Sequence, residues 1–269
     1  MRLEQVTNWL KETEPDVLCL QETKVTDDKF PYESFEQIGY QVAVYGQKAY
    51  NGVAIISKID IENIKLGFEG ELQEDNTSTN LEDQKRIISA LINGVRIINV
   101  YVPNGSNIPS DKFDFKIAWL ERFKNYINKQ SLRNELTCIT GDFNIAPEDK
   151  DVHNPEIYKE RIMASKLERE MLKDIIFGKF TDSFRVFENN AGFWSWWDYR
   201  NNAYDLNKGW RIDHIYICNL LLSKLKSSVI DRSQRGNDKP SDHAPVMINL
   251  DLEETYENFE NEDEDLFAL

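Results

Sequence analysis

Short runs rich in Val, Ile and aromatic residues recur along the chain, and most end in Asn, Gly, Asp or Pro. Runs of that length with those terminators predict β-strands. They fall at Asp16–Leu20, Gly52–Ser57, Arg86–Ile92, Val95–Val102, Leu136–Thr140, Phe193–Trp197, Ile212–Cys218 and Ala244–Leu250. Between them lie stretches whose apolar residues return every three or four positions. In Asp111–Lys129 the stripe is Phe113, Ile117, Leu120, Phe123 and Ile127; in Ala164–Phe177 it is Leu167, Met171, Leu172 and Ile175. That period keeps the apolar side chains on one face of a helix, so both stretches predict helices packed by that face. Leu3–Glu12 is a third helix. No internal repeat interrupts the alternation, which predicts one α/β domain over residues 1–250, with stacked sheets and helices outside.

Composition alters this picture mainly at the C-terminus. Residues 251–269 hold nine carboxylates and no Lys or Arg, a solvated acidic tail expected to be disordered. The net charge of -15 opposes binding of a polyanion, but without the tail it falls to -6. A local basic rim on such a body can still attract a phosphate chain. No apolar run approaches the roughly 20 residues that cross a bilayer, and the N-terminus lacks a signal-peptide pattern. A cytoplasmic protein with no membrane partner, acting as a monomer, is the expectation. Cys19, Cys138 and Cys218 lie far apart in apolar segments and read as reduced core thiols.

Five segments place polar residues at the end of an apolar strand, where a sheet fixes side chains and loops leave room for a ligand. They are Leu18–Lys24 with Glu22, Val100–Gly105 with Tyr101 and Asn104, Thr140–Ile145, Gly209–Asp213, and Pro240–Pro245 with Asp242 and His243. Asp142 and Asn144 are two apart and share one face of an extended chain. Each segment alone has an ordinary explanation as a cap, a turn or a core aromatic. Together they suit phosphodiester hydrolysis, which needs an activated water and charge stabilisation on the phosphate. Hard oxygen donors favour Mg²⁺ or Mn²⁺, and paired His or Cys motifs for zinc are absent from the sequence.

The motifs LQETK, YVPNG, GDFN, SWWDYR, GWRID and PSDHAP, in this order, closely resemble the exonuclease III family of abasic-site endonucleases. The resemblance runs from about Leu3 to Leu250. It implies a four-layer α/β sandwich of two mostly antiparallel sheets packed face to face with helices outside. It implies that Glu22 ligates Mg²⁺, with Asp242 near or on the metal, and that Asp142 orients or deprotonates the attacking water. Asn144 would hold that geometry and, with His243, complete the metal and phosphate surroundings; Asp213 would polarise His243. Tyr101 and Asn104 would line the phosphate pocket. Whether Asp142 or His243 takes the proton, and whether one or two metals act, stays open.

The substrate the resemblance implies is double-stranded DNA with abasic sites or blocked 3′ ends. Trp196, Trp210 and Ile212 match the family's abasic pocket, with Arg211 beside them on the DNA side. A pocket of that kind admits a flipped-out sugar that lacks its base. Trp194 and Trp197 read as core, while Arg200, Arg211, Lys208 and Lys239 could supply backbone contacts. Two competing readings share these residues: a phosphoesterase for lipid or sugar phosphates, and a catalytically impaired DNA-binding protein. The second is raised by one departure. Family members open with a strand of the form Ser-Phe/Trp-Asn-x-Asn-Gly before the first helix, whereas here Met1-Arg2-Leu3 already enters that helix, and an in-frame upstream segment is expected.

Overall fold

The computed structural model describes residues 2–68, 81, 84–133 and 135–252. The acidic stretch from residue 253 onward lies outside them. All predicted strands except Phe193–Trp197 form, and so do the three helices, within two residues at each end. The strands are β1 (Val17–Gln21), β2 (Gln41–Tyr45), β3 (Val53–Ser57), β4 (Glu62–Leu66), β5 (Ile87–Ile92), β6 (Val95–Tyr101) and β7 (Leu136–Asp142). They continue with β8 (Phe180–Asp182), β9 (Asp213–Cys218), β10 (Leu225–Ile230) and β11 (Val246–Leu250). The helices are α1 (Leu3–Thr13), α2 (Tyr32–Glu36), α3 (Asp111–Ser131), α4 (Pro155–Tyr158), α5 (Lys166–Ile176) and α6 (Ser183–Phe187).

Six strands make one mixed sheet in the order β4-β5-β6-β7-β9-β8, parallel only between β6 and β7. Its outer face carries Ile98, Val100, Ile139 and Tyr216 against Trp119, Leu120 and Phe123 of α3 and Leu172 and Ile175 of α5. Leu120, Phe123, Leu172 and Ile175 belong to the stripes read from the sequence, whereas Trp119 is not among them and Leu167 is exposed; α3 is capped by Ser110 and α5 by a Ser165/Glu168 box. The inner face meets a second layer through Ile88, Ala90 and Ile92 opposite Val53 and Ile55 of β3. Alternation along β3 sends Ala54 and Ile56 the other way, onto Trp9 and Leu10 of α1. The result is four layers: helix, sheet, sheet, helix.

The second layer is not one continuous sheet among the described residues. It consists of β1-β3-β2 and a separate β10-β11 pair, all antiparallel. Strand β1 lies over β6 and β7, and β11 lies over β9. Their unpaired edges therefore face each other across an interval that no ladder spans. Helix α1 covers this layer from outside and reaches the loop before β11: Trp9 Nε1 donates to Asp231 (3.2 Å), and Arg2, just ahead of the helix, donates to the Pro240 carbonyl (3.3 Å) and to Tyr199 Oη (2.7 Å). Between layers, the fully buried Asn99 of β6 donates to the carbonyls of Leu20 and Ala54 (2.9 Å each) and accepts from Gln21 (2.7 Å).

Candidate active site

Strand register assembles the centre. Tyr101 is paired with Asp142 across the parallel β6–β7 ladder, and Asp142 with Asp213 across the antiparallel β7–β9 ladder. Three adjacent strands thus end in three polar side chains at one edge of the sheet. Gly141 makes the approach possible: its φ is +145°, and a Cβ there would lie 1.9 Å from the Val100 carbonyl oxygen. Two residues on, Asn144 takes a left-handed φ of +50°. Its backbone N–H donates to Asp142 Oδ1 (2.9 Å) and its side-chain amide to Asp142 Oδ2 (3.1 Å) and the Val102 carbonyl (3.0 Å). Asn104 donates to Asn144 Oδ1 (2.8 Å).

His243 arrives from the loop before β11. Its Nδ1 donates to both oxygens of Asp213 (3.0 and 2.9 Å), which turns Nε2 toward Asp142 at 4.0 Å. Burial alone would lower the imidazole's pKa, but Asp213, with Asp142 and Asp242 adding, raises it to about 10. Burial of Asp142, helped by the nearby Asp213 charge and opposed by His243, raises that carboxyl to about 7. Glu22 sits at the exposed mouth after β1, with φ +56°, on a turn tied to the Asn51–Gly52 backbone. Burial disfavours its charge, yet the Lys24 ammonium and the Tyr101 hydroxyl, both bonded to it, leave its pKa below the usual range. Burial and the Glu22 and Asp142 charges push the Tyr101 phenol upward, so it stays a donor.

The tryptophan segment is not a strand. Trp196 bridges Trp210 on one side and His243 on the other, and the N–H groups of Ser195 and Trp196 (3.0 and 2.9 Å) both reach the Trp210 carbonyl. Two donors on one acceptor make a bulge, which re-aims the side chains on either side. Trp194 and Trp197 go into the core, as read from the sequence. Trp196 stays partly exposed and donates from Nε1 to Asp242 Oδ2 (3.0 Å). Trp210 (4% exposed) and Ile212 (1% exposed) are buried with Met163, Val152 and Tyr158 behind Trp196, so of the three residues expected to form an abasic pocket Trp196 alone presents surface, and the other two support it from the core.

Arg211 requires a correction. It is 1% exposed and donates to Asp151 (2.6 Å), to both oxygens of Asp182 (3.2 and 2.8 Å) and to His214 Nδ1 (3.0 Å). A guanidinium so enclosed cannot touch a DNA backbone; it fixes the segment that carries Trp210 and Ile212. Of the other basic residues, Lys208 and Lys239 are exposed, while Arg200 is exposed but gripped by Asp198. The sequence reading also missed groups that hold the centre. Ser195 Oγ accepts from the backbone N–H groups of Ile212 (3.1 Å) and Asp213 (3.0 Å). Arg86 stacks on the Tyr101 ring at 4.6 Å and donates to its carbonyl (3.1 Å). Arg86 and Ser195 sit inside runs read as strands, and only tertiary contacts reveal their use.

A carboxyl near neutrality can take a proton, an Asp-supported imidazolium can neutralise a developing phosphorane, and phenol and amide donors can hold the other oxygens. A four-layer sandwich carrying that combination defines a phosphoester hydrolase. The chain belongs to the endonuclease/exonuclease/phosphatase family, whose pattern matches residues 1–243. It is 34% identical to exodeoxyribonuclease III of Haemophilus influenzae over 257 residues, 91% of this chain and 93% of that one. Among solved structures it resembles an AP endonuclease from Archaeoglobus fulgidus, with 36% identity, TM-score 0.86, and 93% and 95% of the two chains covered. A 3′ phosphatase from Neisseria bound to a product DNA hairpin matches at 37% identity and TM-score 0.86, covering 93% and 94%.

Proposed function

We propose that the protein is a divalent-metal-dependent DNA repair nuclease that cleaves the backbone 5′ to abasic sites and trims 3′ ends. The observation that carries this reading is the convergence of Asp142 and the Asp213–His243 pair beside the wall of Trp196, Trp210 and Ile212. The partly exposed Trp196 ring, backed by Trp210 and Ile212, would then offer an apolar surface to a flipped, baseless sugar beside the reacting phosphate. The names of the relatives point the same way. The donor set suits a hard cation such as Mg²⁺, with Mn²⁺ as a substitute. Glu22 is paired with an exposed lysine, a partner that costs little to displace. Oxygens of Asp142 and Asp213 and a His243 nitrogen lie within 4.8 Å of one another, but Asp213 is committed to His243 through both oxygens. Asp142 is likewise held through both oxygens by Asn144, so Glu22, with Asp242, would hold the metal, which when bound supplies Lewis acidity at the phosphate.

The chain's own groups divide the remaining work. Asp142, held by Asn144, orients the attacking water and accepts its proton. His243 presents Nε2–H to the phosphate while Asp213 keeps that tautomer and charge. Tyr101 and Asn104 donate to the remaining phosphate oxygens. His243→Ala should lower kcat on an abasic duplex on the order of 10²-fold with the fold intact, as expected for removing one preorganised charge. EDTA should abolish nicking and added Mg²⁺ restore it. Near wild-type turnover by the variant at saturating Mg²⁺ would remove His243 from the mechanism.

A further inference from the structure

Beneath the site, the α3 residue Lys116 and the α5 residue Glu168 form an ion pair with both side chains at 0% exposure. The ammonium has three hydrogens and meets three acceptors. One is Glu168; the other two are the backbone carbonyls of Asn104 (3.2 Å) and Asn144 (2.8 Å). These are the two asparagines whose side chains are joined, Nδ2 to Oδ1, on the opposite side of the same segments. Glu168 is itself saturated by the N–H groups of Met163 (3.0 Å) and Ser165 (3.2 Å) and by Ser165 Oγ (2.6 Å). The turn after Asn104 is shaped to admit the lysine stem. Gly105 has φ +88°, and a Cβ there would lie 3.1 Å from Lys116 Cδ and 2.8 Å from Ile162 Cδ1.

A buried ion pair is a poor source of stability, since apolar residues of equal volume usually serve as well. What apolar residues cannot supply is direction. We infer that Lys116 is a positioning residue for phosphodiester cleavage, an ammonium clamp that ties the Asn104 and Asn144 carbonyls together so that both side chains face the phosphate in fixed register. This rests on the nuclease reading above. No ladder joins the 104–105 turn to the segment after β7; besides the ammonium, the two segments are linked by the bond between their side chains, by Asn144's bond to Val102 and by the Val102 N–H on the Asp142 carbonyl (2.9 Å), none of which holds the Asn104 carbonyl. Small displacements of groups that orient a substrate cost rate out of proportion to their size.

The test compares Glu168→Gln with the double variant Lys116→Met/Glu168→Gln. Both lack the ion pair and neither leaves an unpaired buried carboxylate, but only the first keeps the Lys116 amine, which still donates to the two carbonyls when burial without Glu168 drives it neutral. Relative to Glu168→Gln, the double variant should lose on the order of 10-fold or more in kcat while KM for abasic duplex moves less than about 3-fold. The side-chain amide signals of Asn104 and Asn144 in ¹⁵N-labelled protein should shift and broaden. Those signals answer for the clamp even if the wild-type protein fails to cut abasic DNA, an outcome that would sink the nuclease reading separately. Should the double variant not fold, Glu168→Asp draws the ammonium back by one methylene with both charges kept, and must displace the same signals. Unchanged amide signals, or a kcat equal to that of Glu168→Gln, would overturn the inference.

Discussion

His214 follows Asp213 in β9, and alternation sends it to the other side of the sheet. There its Nδ1 accepts from Arg211 (3.0 Å), so Nε2 carries the hydrogen and donates to the Ile145 carbonyl (2.9 Å). Burial, then the Arg211 charge, lowers its pKa to about 4 from an ordinary 6.5. Above 6.5 the ring is neutral whether the chain is folded or not, and contributes nothing to the pH dependence. Between 6.5 and 4 the unfolded chain takes up a proton that the native state refuses, so stability falls as pH falls, by about 3 kcal/mol in full. Urea unfolding at pH 7, 5.5 and 4.5 should show that loss, and His214→Gln should remove its share of the slope. Parallel slopes in the two proteins would mean that His214 is charged or solvated. His214 and Arg211 also mark where residue-level legibility ends. Arg211 stands next to Trp210 in the sequence, while its partners Asp151 and Asp182 are 60 and 29 positions away. Spacing along the chain gave no sign that its charge was already spent.

At the scale of elements, long periodic segments were legible and irregular or exposed ones were not. Helix α3 and strands β3, β5, β6 and β7 each bury a continuous face, so the pattern of hydrophobic positions carried them. Strand β4, ENIKL, is an almost fully exposed edge and shows no alternation; β8 has only three residues. The Phe193–Trp197 run has the composition of a strand, but its bulge at Ser195–Trp196 makes it a carrier of side chains instead. That bulge is what separates the core pair, Trp194 and Trp197, from Trp196, which reaches Asp242. If Trp196 belongs to the abasic pocket, Trp196→Ala should reduce nicking of an abasic duplex about 10-fold more than trimming of a 3′ end, as expected when a pocket wall for one substrate is lost. Equal losses in both assays, with a lowered Tm, would make this ring a core residue. That Tyr101, Asp142, Asp213 and His243 come together was legible because they sit at strand ends in recognisable motifs. Ser195, Arg86 and Lys116 act through backbone atoms and other side chains, so only the folded chain reveals them.

At the scale of the whole molecule, the described residues leave a discontinuity in the second layer, the interval between β1 and β11. Both strands are only half-buried, whereas β3, paired on both edges, is fully buried. Leu18 and Leu20 of β1 and Met247 of β11 pack against the same α1 cluster from either side of that interval. A strand laid between them would pair both edges and extend the sheet under α1. Each backbone group left buried without a partner costs about 1–3 kcal/mol, against a typical native stability of about 5–15 kcal/mol. Extending the chain ahead of Met1 with a Ser-Trp-Asn-x-Asn-Gly segment should therefore raise Tm, by about 2–4 °C for each kcal/mol gained. It should also slow amide exchange in β1 and β11 while leaving β5 and β6 unchanged, and increase Mg²⁺-dependent nicking. The exchange pattern is the discriminating measurement, because an unspecific gain in stability would slow every strand together. If β1 and β11 exchange as before and Tm does not rise, the sandwich closes over this interval without a strand, and α1 alone supplies the join.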